Sequence, residues 1–110
     1  VLYGGGAGEA AFRDRTKVME FVSVPETVSR WVKRNQCLPA AQRTRESAGA
    51  YCERYEGCRA GGPVQLCVTE TGGHAWPGAR AVRHGKEAAS TALDANSTIW
   101  AFFSGLAERR

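Results

Sequence analysis

Two histidines, His74 and His84, are the side chains of this 110-residue chain best suited to moving a proton near neutral pH. An unperturbed imidazole titrates at about 6.5, so it can take a proton and return it. Their settings differ. His74 stands in Gly72-Gly73-His74-Ala75-Trp76-Pro77-Gly78, directly after the strand-like run Val64-Gln65-Leu66-Cys67-Val68-Thr69-Glu70. Glycines let the backbone leave a strand sharply, in conformations closed to residues with a Cβ. Pro77-Gly78 suits the two central positions of a type II turn. Both flanks of His74 are therefore expected to be pinned, as a general base requires; the competing reading is a solvated loop histidine. His84 lies among Arg80, Arg83 and Lys86 and has no such setting.

Cys37, Cys52, Cys58 and Cys67 form the second chemical group. Their spacings contain no C-x-x-C knuckle, which argues against structural zinc and against a thioredoxin-like redox pair. Disulfides account for them better, and four cysteines permit three pairings. Disulfides imply an oxidising compartment, so a secreted or periplasmic location is expected. Neither a metal nor an organic cofactor is implied.

The elements that must carry these residues can be read coarsely. Ser23 is a good N-cap, Glu26 completes a capping box, and Pro25 fits a first turn where its missing N–H costs little. Val24, Val28, Trp31 and Val32 then recur at i, i+4, i+7 and i+8, which predicts a helix over 24–35 with Trp31 as a core anchor; Lys33 and Arg34 complement its dipole. Residues 38–47 are polar, carry Pro39, and read as a loop. The segment 50–55 reads as a strand, closed by 56–63 and answered by the strand 64–70. Tyr51 and Tyr55 fall on one face of that strand, where packing is expected. Residues 79–93 read as a variable loop. A last helix begins near Asp94 or Asn96, and Ile99, Trp100, Phe102, Phe103 and Leu106 give it a broad apolar face.

The net charge of +4 is spread over scattered basic residues with acids between them, and no nucleic-acid motif accompanies it. No apolar run approaches the 18 or so residues that cross a bilayer. Neither nucleic acid nor a membrane is expected as a partner.

Ser23-Val24-Pro25-Glu26-Thr27-Val28, Trp31, Asn35 and Cys37, Tyr55-Glu56-Gly57-Cys58, the His74 turn, and Asp94 with Ile99-Trp100-Ala101-Phe102-Phe103 occur in a telling order. In this the chain resembles the C-terminal part of secreted polyhydroxybutyrate-depolymerase-like and feruloyl-esterase-like serine hydrolases. The resemblance runs from about Val1 to about Leu106. It implies that His74 is the base of a Ser-His-Asp triad and that Cys37 pairs with Cys58; Trp76, two residues beyond that base, is a candidate for lining the acyl or aryl pocket, with a buried packing role as the alternative. Cys52 and Cys67 are then left to each other; they would face one another if their strands form an antiparallel hairpin, and two buried free thiols are the alternative.

Only one triad member is present. α/β-Hydrolases place the serine on a G-x-S-x-G elbow ahead of the acid and the histidine, and no such motif occurs here. Ser104-Gly105 lies in the last helical pattern, after His74, and Asp14 sits in the charged stretch Arg13-Asp14-Arg15. The resemblance places the acid just upstream of Val1. The length also falls short of a whole hydrolase sheet with its covering helices.

The expected fold is thus α/β: an incomplete α/β-hydrolase in which two helices pack on a short β-hairpin. Residues 1–110 form a single small domain or a C-terminal hydrolase segment. The expected function is that of a segment of a serine carboxylic-ester hydrolase, of the polyester or feruloyl/acetyl ester class, inactive by itself. An ester substrate is expected only where the missing N-terminal part is supplied. The alternative is a non-catalytic, self-associating remnant or binding module. Trp31, Trp100, Phe102 and Phe103 exceed what so few elements can bury, so a homodimer or higher symmetric oligomer is expected.

Overall fold

The computed structural model describes residues 3, 22–80 and 88–108. Asp14, Arg83, His84 and Lys86 lie outside the described residues. The element order is helix α1 (Val24–Arg34), strands β1 (Gln42–Ser47), β2 (Ala50–Tyr55) and β3 (Val64–Thr69), and helix α2 (Ala95–Glu108). The chain divides into two compact units, Val1–Pro39 with Tyr55–Val64, and Ala40–Arg54 with Gln65–Arg110.

In the first unit, α1 starts as its sequence dictates. Ser23 is the N-cap and its Oγ accepts the backbone N–H of Glu26 at 3.2 Å. The capping box is only half used, because the Glu26 carboxylate pairs with Arg30 one turn on, at 3.1 Å. The helix ends in a Schellman motif: the N–H of Cys37 reaches the carbonyl of Val32 and that of Gln36 the carbonyl of Lys33. Gln36 takes the left-handed conformation of that motif at φ 54°, a place where glycine is usual. The segment 56–63 is tied to this helix end. The carbonyls of Asn35 and Gln36 accept the N–H groups of Ala60 and Arg59, the Asn35 amide donates to the carbonyl of Gly62 at 2.9 Å, and a disulfide joins Cys37 to Cys58. Val32 is the buried residue of α1. Trp31 departs from its expected place in the core: it is 48% exposed, and the Arg34 guanidinium lies 5.1 Å from its ring centre. Three and four residues along a helix are neighbours on its surface, which brings the Arg34 guanidinium over the indole.

The second unit corrects the expectation of a loop at 38–47. Gln42–Ser47 is a strand, and the sheet has three strands in the order β1-β2-β3. β1 pairs antiparallel with β2, from Gln42 opposite Arg54 to Ser47 opposite Ala50, with a bulge between Arg43 and Arg45. All six residues of β1 are exposed and none is apolar. Cross-strand polar contacts hold it. The Arg43 guanidinium bonds Glu53 directly opposite at 3.1 Å and lies 4.1 Å from the Tyr51 ring centre. On β2 the buried positions are Ala50 and Cys52, while Tyr51 and Tyr55 are half-buried. The core consists of Ala50, Cys52 and Leu93, with Cys67 and Ala92 against it, and a Cys52–Cys67 disulfide crosses it. Helix α2 meets the sheet at Phe102, whose ring centre is 5.4 Å from the Arg54 guanidinium; Arg54 Nε in turn donates to Gln65 on β3 at 2.8 Å. Trp100 and Phe103 remain 75% and 59% exposed.

Candidate active site

His74 lies in two successive turns between β3 and the segment that leads into α2. The N–H of Ala75 bonds the carbonyl of Gly72, with Gly73 between them at φ 49°. The N–H of Ala79 bonds the carbonyl of Trp76 at 3.0 Å with Gly78 at φ 86°, the pattern Pro77-Gly78 predicts for a type II turn. Neither glycine flanking the loop can be replaced without strain. Gly72 is buried at φ 94°, and a Cβ there would stand 2.5 Å from the backbone nitrogen of Ser90; one on Gly78 would stand 2.8 Å from the Asp94 carboxylate.

The loop is also latched to the chain before and inside α2. The N–H of Gly78 donates to the carbonyl of Ser90, the N–H of Ala95 to the carbonyl of Pro77, and Trp76 Nε1 to Asn96 Oδ1 at 3.0 Å. Ser90 is buried, its Oγ accepting the N–H of Ala92. Asp94 caps α2: its Oδ1 accepts the N–H of Ser97 at 2.8 Å, and its carbonyl accepts the N–H and hydroxyl of Thr98. Hydrogen bonds from the backbone and side chain of Ser97 hold the Asp94 carboxyl below the usual carboxylate range, and the positive charge of Arg80 adds to them. The latch is thus anchored to a helix start that is itself well capped.

At the end of this frame His74 is exposed. Among the described residues its side chain has no hydrogen bond or ion pair. Trp76 is 53% exposed, with its N–H committed to Asn96. Nearby, a cavity of about 550 Å³ is lined by Gly78, Arg80, Ala88, Thr91, Leu93 and Asp94 among others, but by neither His74 nor Trp76. Ser104 is half-buried within α2. No group of three or more His, Cys, Asp or Glu side chains among the described residues is arranged to hold a metal ion. The roles of Ser90 and Asn96 in holding the loop were not apparent from the sequence. Gly72 and Asn96 were the available signals, but each needs the chain around residue 90 or Trp76 brought beside it.

Over 75 residues, 68% of its length, the chain is 32% identical to feruloyl esterase B of Piromyces equi. It spans 13% of that protein's length. The relationship is esterase-like; it lends no support to the polyhydroxybutyrate-depolymerase side of the resemblance. No protein-family model and no solved structure matches the chain. Two disulfides fit an extracellular protein.

Proposed function

We propose that the chain is a segment of a secreted serine carboxylic-ester hydrolase with an incomplete α/β-hydrolase fold, in which His74 is the general base and Trp76 lines the substrate pocket. The observation that carries this reading is the exposed His74 in a doubly turned, glycine-dependent loop directly after β3, in a chain with an esterase relative. In the proposed reaction the imidazole takes the serine proton as the serine oxygen attacks the ester carbonyl. It then returns that proton to the leaving alkoxide. The latch from Pro77, Gly78 and Trp76 to Ser90, Ala95 and Asn96 keeps the base in place, and a base displaced by an ångström loses much of its effect. A feruloyl ester is the substrate class favoured by the relative's name. No serine or carboxylate among the described residues hydrogen-bonds His74, and in this proposal both come from the rest of the enzyme. The isolated chain therefore turns over an activated aryl ester no faster than its His74→Ala variant does; a large rate abolished by that substitution would contradict this division of the triad.

Self-association is a second reading, favoured by the exposed Ile99, Trp100 and Phe103 on α2 and by β3, which has a neighbour on one side only among the described strands. A two-fold homodimer would cover one such patch with its own copy. Sedimentation at micromolar concentration tests it, since a monomer of 11.9 kDa contradicts the proposal.

A further inference from the structure

Asn35 and Asn96 are the only asparagines of the chain, and Asn96 opens the tripeptide Asn96-Ser97-Thr98. An asparagine two residues before a serine or threonine, with no proline between, is the acceptor pattern for N-linked glycans in exported proteins. We propose that Asn96 is an N-glycosylation site and that its glycan stands beside Trp76 at the edge of the His74 loop. The inference rests on passage through an oxidising export pathway, to which the two disulfides point, and not on the esterase reading.

Three structural observations fit Asn96 and set it apart from Asn35. Asn96 is exposed. Its Oδ1 accepts the Trp76 indole N–H at 3.0 Å, while Nδ2, the atom a sugar would occupy, has no hydrogen bond among the described residues. A glycosylated asparagine keeps its carbonyl oxygen, so the sugar leaves the Trp76 latch intact. At Asn35, by contrast, Nδ2 donates to the carbonyl of Gly62 at 2.9 Å, the third residue is Cys37, and that cysteine is in a disulfide. The Thr98 hydroxyl, part of the acceptor pattern, bonds the Asp94 carbonyl at 2.7 Å once α2 has formed. Transfer therefore precedes the folding of the α2 start, as it does when sugar is added to an emerging chain.

The donor class is a lipid-linked oligosaccharide diphosphate. The Asn96 nitrogen attacks C1 of its terminal sugar and forms the N–C1 bond. The C1–O bond to the diphosphate breaks, the lipid diphosphate leaves with the electron pair, and the amide proton passes to a base of the transferase.

Translation of the chain, behind a cleavable export signal, in the presence of microsomes tests this without requiring a stable product. The expected result is one glycan-sized mass increment, mapped to the Asn96 peptide and removed by an amidase that leaves aspartate there. It is retained in Asn35→Gln and Thr98→Ser and lost in Asn96→Gln and Thr98→Ala. Because the modification is read on the nascent chain, a variant that folds poorly still reports. A translocated chain whose Asn96 peptide is unmodified, or an increment that survives Thr98→Ala, overturns the proposal. Either result leaves the role of His74 where it stood.

Discussion

Replacing Gly72 by alanine should be the most damaging methyl-sized change in the second unit. The backbone there has φ 94°, where an L side chain costs about 1–3 kcal/mol. The added Cβ would also stand 2.5 Å from the nitrogen of Ser90, against 3.4 Å where ordinary contact begins, and a backbone atom cannot rotate aside as a side-chain tip can. Forcing one extra carbon into a packed site typically costs about 1–3 kcal/mol more. Reduced freedom of the unfolded chain returns about 0.4–1 kcal/mol. The net loss is about 1–5.5 kcal/mol, which at several degrees per kcal/mol lowers Tm by about 5 °C or more. Gly62→Ala is the control, since nothing lies within 4 Å of its Cβ and its φ is not in the left-handed range; its effect should stay within about 0.5 kcal/mol. Thermal unfolding of the oxidised variants, followed by circular dichroism, reads both. Equal Tm values for Gly72→Ala, Gly62→Ala and the unsubstituted chain would refute the view that the His74 loop is clamped against the chain at Ser90.

Three further outcomes follow from the same geometry. Replacing both Cys37 and Cys58 by serine should cost about 3 kcal/mol in the chain-entropy account of a loop this long, and replacing Cys52 and Cys67 a similar amount plus any core disruption; denaturant titration measures each. Gln36→Gly should stabilise the chain by about 0.5–1 kcal/mol, because the Schellman motif at the end of α1 holds this residue at φ 54°; an unchanged midpoint in urea would contradict the assignment. Asp94 has a folded-state pKa below its unfolded value, so its stabilising contribution is fully present above about pH 4. That contribution fades as pH falls through the lower folded value. Tm measured against pH should show the unsubstituted chain losing stability below about pH 4 relative to Asp94→Asn, which retains a capping side chain but no titrating one.

The elements with periodic apolar residues and local signals could be read directly. Ser23, Pro25 and the Val24-Val28-Val32 spacing announce α1, and Asp94 with the aromatic run announces α2, because caps and helical faces are encoded within a few turns of chain. Strand β1 could not be read, since Gln42-Arg43-Thr44-Arg45-Glu46-Ser47 has no apolar alternation and owes its conformation to the β2 ladder, Glu53 and Tyr51. The exposure of Trp31 escapes the sequence for a related reason: helical spacing says which residues share a face, not whether anything covers it. At the candidate site the turns at Gly73 and Pro77-Gly78 were visible as turn chemistry, but their latch to Ser90 and Asn96 spans a stretch of chain that no local pattern crosses.

That His74 is the base of an ester hydrolase is tested most directly by exchanging segments. Residues 1–110 would replace the similar segment of feruloyl esterase B of Piromyces equi, and the initial rate on a feruloyl ester would be compared with that of the same chimaera carrying His74→Ala. Loss of a triad histidine typically lowers kcat by about 10⁴–10⁶. The account predicts an active chimaera whose rate falls by that order in the variant with KM little changed; an active chimaera whose rate survives His74→Ala would contradict it.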